Sequence, residues 1–218
     1  MSNSESFIDE VTEEVRRERL FGYLRRYGWI AVLLILVLVG AAAWNEWQKA
    51  QNRAAAEAFG DSVLAALLHE TPDARREALA EVPTTGAQGG VVALLQASEA
   101  MAAGDSAAAL AALDAVAADG ALPASYRQLA MLKRVVLGGA DLPAEEREAA
   151  LQGLAQAGQP FRPLALEQLA LLRIEAGDTD AAIALLRDVL QEPGLTANLR
   201  RRAMQLIVVL GENPEAAG

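Results

Sequence analysis

The chain has 218 residues, 19 Lys plus Arg against 29 Asp plus Glu, one His and no Cys. Beyond residue 47 the balance is 14 basic to 22 acidic residues, a surface that repels nucleic acid and gains little from anionic lipid. The absence of cysteine removes disulfides, thiolate metal sites and CxxC redox chemistry.

Ser6-Phe7-Ile8-Asp9 opens the first predicted helix, with Ser6 and Asp9 spaced as a capping box. Phe7, Ile8, Val11 and Val15 then fall on one face at helical spacing. Asp9, Glu10, Glu13, Glu14, Arg16, Arg17 and Glu18 fill the rest. Two readings stay open for this leader, residues 1–27: an amphipathic helix for a cytosolic partner or the inner leaflet, or a solvated segment whose arginines only set topology.

From Trp29 to Trp44 no charged side chain interrupts the sequence. Sixteen helical residues reach about 24 Å. The flanks Tyr27-Gly28 and the turn to Trp47 bring that close to the roughly 30 Å hydrocarbon core. Residues 28–47 are therefore expected to be a transmembrane signal-anchor, with Leu33 and Leu36 in its middle and Trp29, Trp44 and Trp47 at headgroup level. Arg16, Arg17, Arg19, Arg25 and Arg26 precede the span, whereas only Lys49 and Arg53 closely follow it. The positive-inside rule then puts the N-terminus in the cytoplasm and about 170 residues on the far side. A cleaved signal is disfavoured: the basic region begins late, the apolar core is long, and bulky Trp44 follows Ala41-Ala42-Ala43.

Residues 48–90 read as stalk and linker. Glu46 to Glu70 is predicted to be a helix continuous with the span, carrying the stripe Ala50, Ala54, Ala58, Val63, Leu67 and Leu68. That Ala-rich face suits homo-oligomer packing, although Ala is also a strong helix former. A short helix, Asp73 to Glu81, follows Thr71-Pro72. Val82 to Gly90, rich in Pro and Gly, is predicted to be a loop.

Residues 91–211 repeat. Ala103-Gly104-Asp105-Ser106-Ala107-Ala108-Ala109-Leu110 matches Ala176-Gly177-Asp178-Thr179-Asp180-Ala181-Ala182-Ile183. In each, Gly supplies the left-handed residue that ends one helix, and Asp or the next Ser/Thr caps the following one. Gly104 and Gly177 lie 73 residues apart, about two helical-hairpin units of the tetratricopeptide period. A weaker copy between them uses Ser125 to Leu137 and Pro143 to Gln156. Its Ala150-Leu151 pair is unevenly spaced from its counterparts, which argues against a strict array. Leu195 to Leu210 supplies a capping helix, and 212–218 a flexible tail. The expected fold is all-α: one N-terminal transmembrane helix, then a TPR-like α-solenoid of antiparallel helix pairs.

The leader Phe7-Ile8-Asp9-Glu10-Val11, the Arg26-Tyr27-Gly28-Trp29 approach to the span, the Trp- and Ala-rich exit and the Ala-Gly-Asp hairpins together resemble the YfgM-like family. These are ancillary subunits of the SecYEG translocon with a tetratricopeptide-like periplasmic part. The resemblance implies an accessory factor of the bacterial inner membrane that links the Sec translocon with periplasmic chaperones. Two Lys against seventeen Arg, with abundant Ala, agrees with a high-GC bacterial source. The chain departs from the usual repeat where a bulky aromatic is expected, with Ala93 and Leu166 near the start of first helices. A groove for a defined peptide motif therefore does not follow.

Little in the sequence suggests catalysis, so a non-enzyme without cofactor or metal is expected. His69 lacks a second His or any Cys for metal or acid–base work and reads as a helix-end residue interacting with terminal carbonyls. Glu145, Glu146 and Glu148 follow Leu142-Pro143, where they favour the positive end of a helix dipole. Ser62, Ser98 and Ser125 have no nucleophile elbow, and Gly86 with Gly89-Gly90 has no following Lys-Ser/Thr. Arg200, Arg201 and Arg202 are the one basic run of the distal part, either a contact for an acidic partner or a solvated face. Tyr126, Phe161 and Arg162 near inter-helix turns either face a groove or pack the core. Two functions are compatible with all of this: an adaptor holding a chaperone or emerging chain at the translocon exit, or an envelope scaffold for outer-membrane assembly or cell-wall division machinery.

Overall fold

The apolar run and the segment after it form one helix, α1 (Asn3–Leu67), in a computed structural model that describes residues 3–213. Side chains are described from residue 25 onward, apart from position 31. Proline, which would remove a helical hydrogen bond, first occurs at Pro72, and nothing earlier stops the helix. It begins at Asn3, so Ser6 lies inside the first turns and not at the cap the capping box predicts. The amphipathic face expected of the leader, and residues 214–218 of the expected tail, lie outside the described side chains and residues.

The chain divides into two units, Met1–Ala58 and Phe59–Gly218. In the first, α1 is long and apolar enough to cross a membrane, and none of its most apolar window is buried. Trp29, Leu33, Leu36, Trp44 and Trp47 are all exposed. The Trp44 and Trp47 rings sit 5.1 Å apart, centre to centre. The Trp29 indole N–H donates to the Arg26 carbonyl at 3.1 Å. An apolar helix exposed on every face is what lipid, and not water, tolerates.

The second unit is a serial stack of helices: the last turns of α1, then α2 (Pro72–Ala80), α3 (Gln88–Ala102), α4 (Ser106–Ala118), α5 (Ala124–Gly138), α6 (Ala144–Leu154), α7 (Arg162–Glu175), α8 (Thr179–Gln191) and α9 (Ala197–Val209). No strand occurs among the described residues. Short connections make sequence neighbours pack antiparallel, giving hairpins α3–α4, α5–α6 and α7–α8.

The core is correspondingly serial, one apolar cluster per few helices. Ala66, Leu79 and Val92 join α1, α2 and α3. Ala97, Leu113, Val116, Leu122 and Ala130 join α3 to α5. Leu132, Val135, Leu151, Leu154, Ala165, Leu169 and Leu172 join α5 to α7. Leu166, Ala170, Leu186, Val189, Leu199, Ala203 and Ile207 close the stack at α9.

Two glycine pairs shape the connections. The loop predicted over 82–90 is shorter, because α3 already starts at Gln88. The Gln88 side-chain carbonyl accepts from the Thr85 N–H at 2.9 Å and faces its hydroxyl at 3.1 Å, steadying the helix start. Gly90 is buried, and a Cβ there would come 3.1 Å from both Leu122 methyls and from Tyr126 Cδ2. Absence of a side chain therefore serves packing, not a bend. At the longer connection after α5, Leu142 folds over Gly138, where a Cβ would meet it at 2.3 Å.

Candidate interaction groove

The turns that align the hairpins rest on the Gly-Asp pairs. Gly104 has φ +80° and Gly177 φ +76°, a left-handed conformation costly to any residue with a Cβ. The Asp105 carboxylate accepts from the Ala108 N–H at 2.9 Å, and Asp178 from Ala181 at 3.1 Å. Ser106 and Thr179 are the first helical residues, not the caps. Asp105 also meets Arg76 of α2 at 3.2 Å. The Ala108 N–H first, and Arg76 second, hold its carboxyl below the usual value.

Arginine–carboxylate pairs then bridge the helices in succession. Arg75 of α2 meets Glu99 of α3 at 2.6 Å. Arg134 of α5 meets Asp114 of α4, and Glu146 of α6 at 2.6 Å. Arg147 of α6 meets Glu175 of α7 at 2.9 Å, while Arg173 returns the contact to Glu148. Burial, which alone would lower the Arg134 pKa, is outweighed by Glu146 and Asp114, and the net direction is upward.

With these helices held, α3, α5, α7 and α9, together with Leu113 of α4, line a groove of about 610 Å³. Its apolar walls include Met101, Leu132, Val136 and Leu164, and its polar groups are Ser98, Lys133, Glu167, Gln168 and Arg202. The polar groups are not equivalent. Arg202 grips Glu167, 4 % exposed, through two bonds of 2.7 Å. That pairing holds the guanidinium above its usual pKa and neutralises both charges. Lys133 reaches only the Ser98 hydroxyl, at 3.5 Å, and has no carboxylate partner among the described residues. A surface of this kind offers one unspent cation beside apolar side chains, suited to peptide or protein contact.

The positions that sequence reading singled out for contact are mostly committed elsewhere. Tyr126 is half-buried against Gly90. Phe161 packs on the α5–α7 cluster. Arg162 pairs with Glu192 at 2.6 Å and donates to the Ala155 carbonyl. In the basic run, Arg202 belongs to Glu167, so it is not available to an acidic partner. Arg201 donates to Asn198 at 2.6 Å, and Arg200 is exposed. Arg25 and Arg26 are exposed on α1, and the side chains of Arg16, Arg17 and Arg19 lie outside those described.

Sequence reading missed Ser98, Met101, Lys133, Val136 and Gln168. A signal for them exists. Ser98, Lys133 and Gln168 are each 35 residues after the last, as are Met101 and Val136, and Ala97, Leu132, Glu167 and Arg202. The first helices keep a register that the longer connection between α5 and α6 obscures.

Among the described residues no group of three or more His, Asp or Glu is placed to hold a metal. Glu146 and Glu148 are engaged with arginines. His69 is exposed in the turn after α1, and its own carbonyl accepts from Arg75 at 3.1 Å. No curated protein and no solved structure matches the chain. A sequence model of the tetratricopeptide repeat-like domain matches residues 22–167, reaching from the apolar part of α1 into the first turns of α7. By that match over most of its length, and by its hairpin stack, the chain belongs to the tetratricopeptide repeat-like domain family.

Proposed function

We propose that this chain is a non-catalytic, membrane-anchored adaptor of the YfgM-like kind. It would sit in a bacterial inner membrane with its N-terminus cytoplasmic and residues 48–218 periplasmic, and bring the Sec translocon and a periplasmic chaperone together during export. In this reading 1–27 is the leader, 28–47 the span, 48–90 the stalk and linker, and 91–211 the binding domain. The observation that carries it is the combination, in one chain, of an exposed apolar helix with a groove whose one unpaired cation, Lys133, stands among apolar side chains. Tethering supplies the mechanism. Confining a partner near the membrane raises its effective concentration without any new contact.

The test is crosslinking of the full-length chain in native membranes, followed by mass spectrometry of what is captured. Translocon subunits recovered together with a chaperone support the adaptor. Recovery of outer-membrane assembly or division proteins without the translocon would replace it with the envelope-scaffold reading. Exchanging residues 28–47 for an unrelated single span separates the two further, since a scaffold that needs only location would keep its partners.

A further inference from the structure

We infer that the two ends of the repeat unit are complementary and join copies of this chain head to tail. At one end, α9 buries Leu199, Ala203 and Ile207 in the stack and turns Arg201, Met204 and Val208 away from it. Val208 is 59 % exposed and the adjoining Val209 80 %. Met204, Gln205, Val208 and Val209 line a shallow depression there, with no further helix over it among the described residues. At the other end, the last turns of α1 pack through Val63 and Ala66 and leave Asp61 and Leu64 outside, with Leu68 exposed in the turn that follows. Leu64 is 63 % exposed and Leu68 83 %.

The two strips match in spacing and in charge. Positions 61, 64 and 68, like 201, 204 and 208, advance by three and then four residues; this keeps 201, 204 and 208 on one face of α9, and 61 and 64 on one face of α1 with Leu68 in the turn directly after it. Both read charge, apolar, apolar, with opposite charges. Laid parallel, Asp61 meets Arg201, Leu64 meets Met204 and Leu68 meets Val208. The charges are unspent within the chain. Asp61 has no ion-pair partner among the described residues, and Arg201 donates only to the neutral Asn198. A two-fold contact of α9 with α9 would leave its arginines without carboxylates, and a parallel contact of α1 with α1 would set Asp61 against Asp61. Only the unlike ends satisfy both charges and apolar residues. Such a heterologous contact builds rings or open rows, not a closed pair.

The absence of cysteine makes the test clean. Leu64→Cys and Met204→Cys are introduced into separate full-length chains, which are mixed in detergent micelles and oxidised. The unlike pair is expected to crosslink at least about 5-fold more than either variant alone, as a contact worth about 1 kcal/mol gives. Asp61→Arg on the first chain, or Arg201→Asp on the second, should each reduce the yield by a similar factor. Both changes together should restore it, a rescue that general damage to the fold would not show. Like-with-like crosslinks in excess, insensitivity to charge reversal, or a monomeric mass at every concentration by analytical ultracentrifugation would overturn the proposal. So would capture of a foreign helix alone at position 204 in membranes.

Discussion

At the scale of single residues, Glu167 and Arg202 show where the repeat pattern gives way to a specific bond. At successive steps of 35 residues the first helices carry Ala97, Leu132 and Glu167, and Arg202 lies one step further on. A carboxylate thus occupies a position that is apolar in the two preceding helices. It is tolerated because both its oxygens accept from Arg202 at 2.7 Å. Arg202→Met removes the donors and strands a buried charge. The expected loss is about 1–3 kcal/mol, less than for a fully buried pair because the guanidinium is half exposed. Glu167→Leu in the same chain should recover most of it, as urea unfolding followed by helix signal will show. Asp105 offers a pH-dependent counterpart. Its carboxyl is held below the usual value in the fold, so its contribution is full above the ordinary carboxylate range, about pH 4, and is lost as pH falls through the lowered folded value. Asp105→Asn keeps a capping oxygen and loses the Arg76 ion pair, whereas Asp105→Ala loses both. Melting temperatures should fall in the order wild type, Asn, Ala at pH 7. The gap between wild type and Asn should close toward pH 3.

At the scale of elements, what was legible in the sequence is what depends on near neighbours. The run from Trp29 to Trp44 was readable because composition alone decides whether a helix can be apolar all round. The Gly-Asp turns were readable because a left-handed glycine and a capping aspartate act within four residues. The start of α3 was not readable. Gly89 and Gly90 look like one breaker, yet the contact that requires Gly90 comes from Leu122 and Tyr126, more than thirty residues on. The two glycines therefore respond oppositely to the same change. Gly89 has only Thr84 Oγ1 at 3.7 Å from a new Cβ, an ordinary contact, so Gly89→Ala should stabilise by up to about 1 kcal/mol through helix propensity. Gly90→Ala gains the same propensity but forces Leu122 and the Tyr126 ring outward from 3.1 Å. Overpacking of about 1–3 kcal/mol leaves a net loss of about 1 kcal/mol. Chemical denaturation of the two variants side by side checks the sign of each. Within the basic run, the state of Arg202 was hidden for the related reason that a sequence lists charges without their partners: it pairs with a glutamate 35 residues earlier.

At the scale of the whole molecule, the described residues of the second unit are held by four apolar clusters in series and by arginine bridges between successive helices, and among those residues Glu167 and Arg202 join α7 to α9 across a helix. Repetition was visible in the sequence, but the 35-residue register of the first helices was hidden by the extended α5–α6 connection, and the groove they line was hidden with it. A serial core has an energetic consequence. Stability is close to a sum of nearest-neighbour terms, so damage stays local as long as those terms, and not one shared core, dominate. Leu151 is fully buried in the α5–α7 cluster, and Leu151→Ala should cost about 2–5 kcal/mol there. Hydrogen exchange of the full chain in detergent would then show opening free energies reduced by that amount for amides of α5, α6 and α7. Amides of α2, which belong to the cluster of Ala66, Leu79 and Val92, should change by less than about 1 kcal/mol, because the loss must cross the Ala-rich α3–α5 cluster to reach them. An equal reduction throughout would mean that this cluster, despite its small side chains, couples the two halves into a single cooperative block. Movement at one end of the groove would then be felt along its whole length.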